Sequence, residues 1–362
     1  MMDDTQGIIN VNATQAIKYH TDLAIGGEAA NRASQQNAFQ DYQSKITPNT
    51  KRRQKNDLEA FSLYLSKAGI NRSVEDMMHD PLAWKGMTYG LLRGFVVWSL
   101  QEGYSTGTIN VRLSTIRQYC KLVGPEPYGA GVISEQDLAA IFTVRGYDGK
   151  QARNIDHDRE YNGIPTRKST KKSEATIVNT TQALTLKKTT IDNKKVRQRD
   201  QINAARDALM MGLFIEHALR VSEIAALNVE HIDIAAGLIT IYRQKTNQTD
   251  THLLKQHTRI AAEIYLEKIG RTEGPLFDGY QGKRLSVNAI NVRVRELGQQ
   301  IGIKKLSPHD LRHFWAFDAL RNGTPIDQVK SGGGWKSDSM VLRYAKRSGI
   351  ANAGVKITEE VL

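Results

Sequence analysis

The sequence predicts a mainly α chain with one small β-hairpin, an α+β fold of two domains, the first all-helical and the second mixed. Three observations carry this. Apolar residues recur at helical spacing in most segments from about Thr50 to Tyr344. One stretch, LITIYRQ, alternates with period two, passes through the polar turn KTNQT and returns as THLLK. Between the two regions, from Val144 to Asp200, the chain turns polar and carries 14 Lys/Arg against 7 Asp/Glu, so +7 of the net +12 lies there.

Composition narrows the function classes. The 362 residues suffice for two or three domains, and 40% hydrophobic residues can build a sizeable core. A net charge of +12 points to a polyanion or an acidic surface as partner. No apolar run reaches membrane-spanning length, and MMDDTQG lacks the pattern of a signal peptide. Cys120 is the sole cysteine, which rules out an internal disulfide and a cysteine-rich zinc site. A cytoplasmic protein is the simplest reading.

In order, residues 1–45 are polar, helical in part at most, and read as a tail. A helix is expected over Thr50–Ala68, with Leu58, Phe61 and Leu65 on one face and a basic start at Lys51, Arg52 and Arg53. A second spans Thr88–Glu102. A third begins near Ser105, where Ile109, Leu113, Ile116 and Cys120 form an apolar stripe that leaves Arg112 and Arg117 largely off it. A short helix follows at Ser134–Phe142. Residues 46–143 thus form a helical domain with positive charge on its exposed faces. Residues 144–172 read as a basic linker, with Arg167, Lys168, Lys171 and Lys172 in its core. It is either a plain solvated linker or a strap beside a polyanion.

The second domain is expected at 173–349. A strongly apolar helix, Arg206–Leu219, runs into a second helix capped by Ser222, which leaves Arg220 at a tight junction where a side chain is held rigidly. Then come the hairpin, with Lys245 beside its turn, and helices at His257–Ile269 and Ser286–Ile301. Near the C-terminus, Ser307-Pro308 with Asp310 is a helix start, and Gly323 a stop. His309 and Arg312, three residues apart, share a face of that helix. Thr324-Pro325 starts a short helix that Gly332, Gly333 and Gly334 break, and another beginning near Ser337 carries Tyr344. A planar cationic fork, an imidazole, the Trp335 indole and a phenol suit a phosphodiester. The same stretch also reads as a buried, capped helix with a core Trp and Tyr.

The order of these features is Arg220 with Glu223 in ALRVSEIAAL, Lys245 in ITIYRQKTNQ, His309 and Arg312 in SPHDLRHFWA, Trp335 and Tyr344 in GGGWKSDSMVLRYAK. It resembles the tyrosine recombinase (phage integrase) family from about residue 173 onward, and residues 46–143 are similar to that family's core-binding domain. Ala218 stands where the family usually has glycine, and Trp335 where histidine is commoner. The resemblance implies a two-domain DNA clamp whose catalytic groups are Arg220, Lys245, His309, Arg312, Trp335 and Tyr344, with Glu223 in support. It implies no metal and no cofactor, double-stranded DNA as partner, contacted by the basic residues named above, and a homo-oligomeric, tetrameric synapse. Residues 350–362 are expected to dock on a neighbouring protomer. Lys255, on the returning strand, is the alternative lysine. HDLRH, with His309 and His313 four apart, is a loose echo of the zinc motif HExxH. Two further readings stay open, a type IB topoisomerase with the same chemistry and no strand exchange, and a DNA-binding protein without catalysis.

Overall fold

The computed structural model describes residues 37–126, 129–166, 176–188 and 198–345, with a few isolated positions between 23 and 30. Arg167, Lys168, Lys171, Lys172 and the 350–362 tail lie outside these. The chain divides into two compact units, Met1–Ser173 and Glu174–Leu362.

The first unit is helical. Its elements are α1 (37–45), α2 (Pro48–Lys67), α3 (Val74–His79), α4 (Tyr89–Gln101), α5 (Thr106–Leu122), α6 (Glu135–Thr143) and α7 (Gly149–Tyr161). The starts follow the capping chemistry. The side chains of Thr47, Thr88, Ser105 and Ser134 accept the first free amides of α2, α4, α5 and α6. Leu58, Phe61, Phe95, Ile109, Ile116 and Cys120 meet in one core with Trp84 and Tyr119.

The tail and the linker each carry helix. The polar tail is helical over 37–45, because Phe39 is buried in this core and the Gln43 amide donates to the Tyr119 hydroxyl at 3.0 Å. The basic linker contains α7, capped by Asp148 and Gln151. Few apolar residues mark α7, since a guanidinium fastens it. Buried Arg159 donates to the carbonyls of Leu100 (2.6 Å) and Tyr104 (3.1 Å), at and just beyond the end of α4.

The second unit comprises α8 (Thr180–Lys188), α9 (Gln198–His217), α10 (Val221–Ala226), β1 (Ile232–Asp233), β2 (Leu238–Arg243), β3 (Gln248–Leu253), α11 (Gln256–Ile269), α12 (Val287–Gln300), α13 (Pro308–Arg321), α14 (Ile326–Gly333) and α15 (Asp338–Ala345). The three strands form an antiparallel sheet in sequence order, with Ile241 opposite Asp250 and Arg243 opposite Gln248. Helix α9 is the central packing element, buried from Ala208 to Ile215 against α11 and α13. The main core joins it to Ile239, Ile241, Tyr265, Ile290, Val294 and Leu311. A small separate core of Ala316, Val329, Trp335 and Val341 packs α14 and α15 onto α13. Ser222 does not cap α10. Arg220 occupies that position, and Glu223 reaches back to accept its backbone N–H at 2.7 Å.

Candidate active site

The site is built where α9 turns into α10. The turn requires a left-handed residue, and Ala218 adopts φ +53° while fully buried. An alanine there costs about 1–2 kcal/mol, which explains why glycine suits this position. The turn aims the Ala218 carbonyl at α13, where the Arg312 guanidinium donates to it. It also throws Arg220 to the other side of the junction. The Glu223 carboxylate holds that residue twice, accepting its N–H with one oxygen and Arg220 Nη1 with the other at 2.6 Å.

The end of α14 gathers three arginines. The carbonyls of Gly332, Gly333 and Gly334 accept from Arg243 (2.9 Å), Arg312 and Arg220 (3.1 Å) in turn. The last carbonyls of a helix lack intrahelical partners and carry the negative end of its dipole, so cations are favoured there. The triplet is glycine for steric reasons. A Cβ on Gly333 would lie 1.8 Å from the Trp335 ring, and one on Gly334, at φ +58°, would lie 2.5 Å from the Arg243 side chain.

Arg312 is 3% exposed. Its guanidinium lies 4.2 Å from the centre of the Trp335 ring, a cation–π contact. Trp335 therefore packs the arginine and the small core together. Asp310 ties the start of α13 down, accepting from the Ser307 N–H at 2.8 Å and from the Thr176 N–H at 2.7 Å.

His309 lies exposed on the open side of α13, its ring 4.3 Å from that of His313. Desolvation, then the charge of Arg312, holds its pKa below the ordinary value, with Lys245 and Arg220 acting in the same direction and Asp310 against them. His309 is therefore neutral at neutral pH and able to accept a proton. The same influences place Lys245, exposed in the β2–β3 turn, within electrostatic reach of His309. Lys255 instead acts on His217. Arg220, Arg312, His309, Lys245, Glu223 and Trp335 are thus brought into one neighbourhood. Tyr344 lies on α15, one turn after buried Val341, and its side chain is outside the described residues. No group of three histidine, cysteine or carboxylate side chains able to hold a metal occurs among the described residues, so HDLRH has no third ligand there.

Residues 189–349 match the family model described as the phage integrase family. This catalytic unit belongs to the tyrosine recombinase, or phage integrase, family. The chain is 34% identical over 134 residues to tyrosine recombinase XerC of Stutzerimonas stutzeri, spanning 36% of this chain and 44% of that protein. With XerC of Azotobacter vinelandii it shares 26% over 250 residues, 68% of this chain and 72% of the relative. XerC of Thermodesulfovibrio yellowstonii is 25% identical over 291 residues, 78% and 80% of the two chains. Among solved structures, the fold is like that of the Tn1549 transposon integrase in complex with transposon right end DNA, with a TM-score of 0.54 at 11% identity, covering 85% of this chain and 93% of that one. It is also like that of a lambda integrase dimer bound to a COC′ core site, with a TM-score of 0.53 at 14% identity, covering 88% and 94%.

The integrase unit holds one important residue that the motif pattern did not mark. Arg243 is wholly buried on β2, in contact with Asp250, Glu223, His252 and Gly332. The signal was present. In LITIYRQ the inward positions are Ile239, Ile241 and Arg243, so the alternation sends a charge into the core.

The basic residues of the helical unit divide. Lys51 and Arg52 are at the surface, and Arg52 Nη2 donates to Asn49 Oδ1 at 2.9 Å. Arg53 pairs with Asp57 at 3.3 Å while staying half exposed. Arg112 and Arg117 depart from the expected open basic face and are only partly exposed. The Arg112 guanidinium sits 3.9 Å from the centre of the Tyr104 ring, and Arg117 donates to the carbonyls of Phe142 and Val144 at the end of α6.

Proposed function

We propose that this chain is a site-specific DNA recombinase that cuts and rejoins duplex DNA through a 3′-phosphotyrosyl intermediate. The observation that carries the reading is the convergence of Arg220 and Arg312, from separate elements, on consecutive carbonyls at the end of α14, with His309 within electrostatic reach of both and of Lys245. Arg220, Arg243, Arg312 and Lys245 outnumber the carboxylates Glu223, Asp250 and Asp310, so the site favours an anion.

Each group has a place in the reaction. Arg220 and Arg312 donate to the non-bridging oxygens of the scissile phosphate and offset the charge that builds there in the transition state. The Tyr344 oxygen attacks phosphorus and passes its proton to His309, which a low pKa keeps ready to receive it. The P–O5′ bond breaks as the O–P bond forms, and the 5′-oxygen takes a proton from Lys245. A 5′-hydroxyl from another strand reverses these steps. Trp335 keeps Arg312 in place through the ring contact. One phosphoester bond replaces another, so the strand is resealed without ATP, and none of these steps requires a metal.

The helical unit and the linker contact the duplex mainly through its phosphates, with Lys51, Arg52, Arg53, Arg112, Arg117, Arg167, Lys168, Lys171 and Lys172 as the basic residues concerned. Strand exchange needs two duplexes, hence a homo-oligomer on DNA, a tetramer in the simplest case. The tail at 350–362 docks on the neighbouring protomer, and the protein works at the nucleoid.

The leaving-group step supplies the test. Lys245→Ala cleaves a normal phosphodiester slowly, by about 10²-fold or more. A substrate with sulfur in the 5′-bridging position needs no acid and restores the rate. Equal losses on both substrates would remove Lys245 from the leaving group.

A further inference from the structure

We propose that Arg243 is a positioning residue for the leaving-group step, locking the hairpin that carries Lys245 to the Arg220–Glu223 pair and to the end of α14. The inference rests on the reading of Lys245 as general acid.

Arg243 ends β2 two residues before Lys245, and its side chain is 0% exposed. A buried guanidinium is tolerated only when its donors are paired, and here they reach three different elements. Nε donates to Asp250 on β3. Nη1 donates to Glu223 Oε2 on α10 at 3.2 Å. Nη2 donates to the Gly332 carbonyl on α14 at 2.9 Å and lies 3.2 Å from His252 Nε2 on β3. Burial, then the charge of Arg243 itself, holds His252 below its ordinary pKa, so its ring is neutral and able to accept.

Two features distinguish this from a stability role. An apolar residue would continue the Ile239–Ile241 face, and replacing buried ion pairs by packed hydrophobic residues is often neutral or stabilising. The charge is therefore not what the sheet needs. The Glu223 carboxylate is also shared, with Oε1 accepting from Arg220 Nη1 and Oε2 from Arg243 and the Arg220 N–H. The acid-bearing turn and the phosphate-binding arginine are thus referred to one carboxylate. The planar fork of arginine suits this task, and an ammonium does not reproduce it.

The experiment uses the full chain on a nicked suicide duplex and measures the rate of covalent adduct formation with a normal phosphodiester and with a 5′-bridging sulfur. Two variants are compared with wild type. Asp250→Asn removes the charge that faces Arg243 Nε at a partly exposed position (30%), where the fold tolerates it. Arg243→Lys keeps the charge and loses the fork. Lys245→Ala runs alongside as the reference. Both variants are expected to lose about 10²-fold on the normal substrate and to return to within about threefold of wild type on the sulfur substrate. Should Arg243→Lys fail to fold, Asp250→Asn decides alone. Equal loss on both substrates, or no loss on either, with Lys245→Ala still rescued, overturns the positioning role and leaves the acid assignment standing. Absence of rescue in Lys245→Ala overturns both.

Discussion

At the scale of single residues, the histidines set how this unit responds to acid. His217, at the end of α9, is 2% exposed and stacks on His252 with ring centres 5.7 Å apart. Burial, then the proximity of His252, lowers its pKa from 6.5 to about 4. His252, His257 and His309 shift in the same direction, burial leading in each. The unfolded chain therefore binds more protons than the folded one between these values. Stability is fully present above pH 6.5 and falls as the pH drops towards 4, by on the order of 3 kcal/mol from His217 alone. Thermal melting of wild type and His217→Gln across this range checks it. The variant should show a shallower decline, and parallel curves would clear His217 of the effect. His309 and Arg312 could be placed together on one helix from the sequence because they are three residues apart, and both lie on α13. Arg243 was visible as an inward charge on an alternating strand, but its partners on α10, β3 and α14 lie up to 89 positions away in the chain. Nothing in a linear pattern announces such a meeting.

At the scale of elements, most helix starts were readable because capping is written within four residues, as at Ser105, Ser134 and Ser286. The exceptions share a physical cause. Helix α7 is polar and is secured by the single buried guanidinium of Arg159, so periodicity did not reveal it. Helix α10 starts on Arg220 because Glu223, rather than Ser222, satisfies the first amide. The glycine triplet was readable as a break that lets backbones approach closely. Its use as three acceptors for three arginines required the fold. Gly333→Ala tests that use. The added methyl would overlap the rigid Trp335 ring, at a cost of about 1–3 kcal/mol. Because the Gly333 carbonyl holds Arg312, cleavage should fall far more than this loss of stability accounts for. Melting temperature and adduct rate measured on the same sample separate the two effects, and an unchanged rate would show that the triplet does not position the arginine.

At the scale of the whole molecule, positive charge is spread over both units, a net +4 in residues 1–173 and +8 in residues 174–362. The polar stretch 144–200, which holds +7 of the net +12, runs across the boundary between the two units. Replacing Lys51, Arg52 and Arg53 together by alanine should weaken binding to every duplex alike. The log–log salt slope should become shallower by about 0.9 for each phosphate that is no longer neutralised. Arg53, already paired with Asp57, should contribute least of the three. Fluorescence anisotropy over a salt series reads both quantities, and an unchanged slope would take this helix off the DNA. The most direct measurement concerns Tyr344. A phenol with its ordinary pKa of about 10 needs an acceptor for its proton at neutral pH, the role proposed for His309. Tyr344→Phe removes only the hydroxyl. On a nicked suicide duplex followed by denaturing electrophoresis, wild type should form a covalent protein–DNA adduct, and Tyr344→Phe should bind the duplex and form none. A covalent adduct from the Tyr344→Phe protein would contradict the assignment of the nucleophile, and with it the proposed reaction.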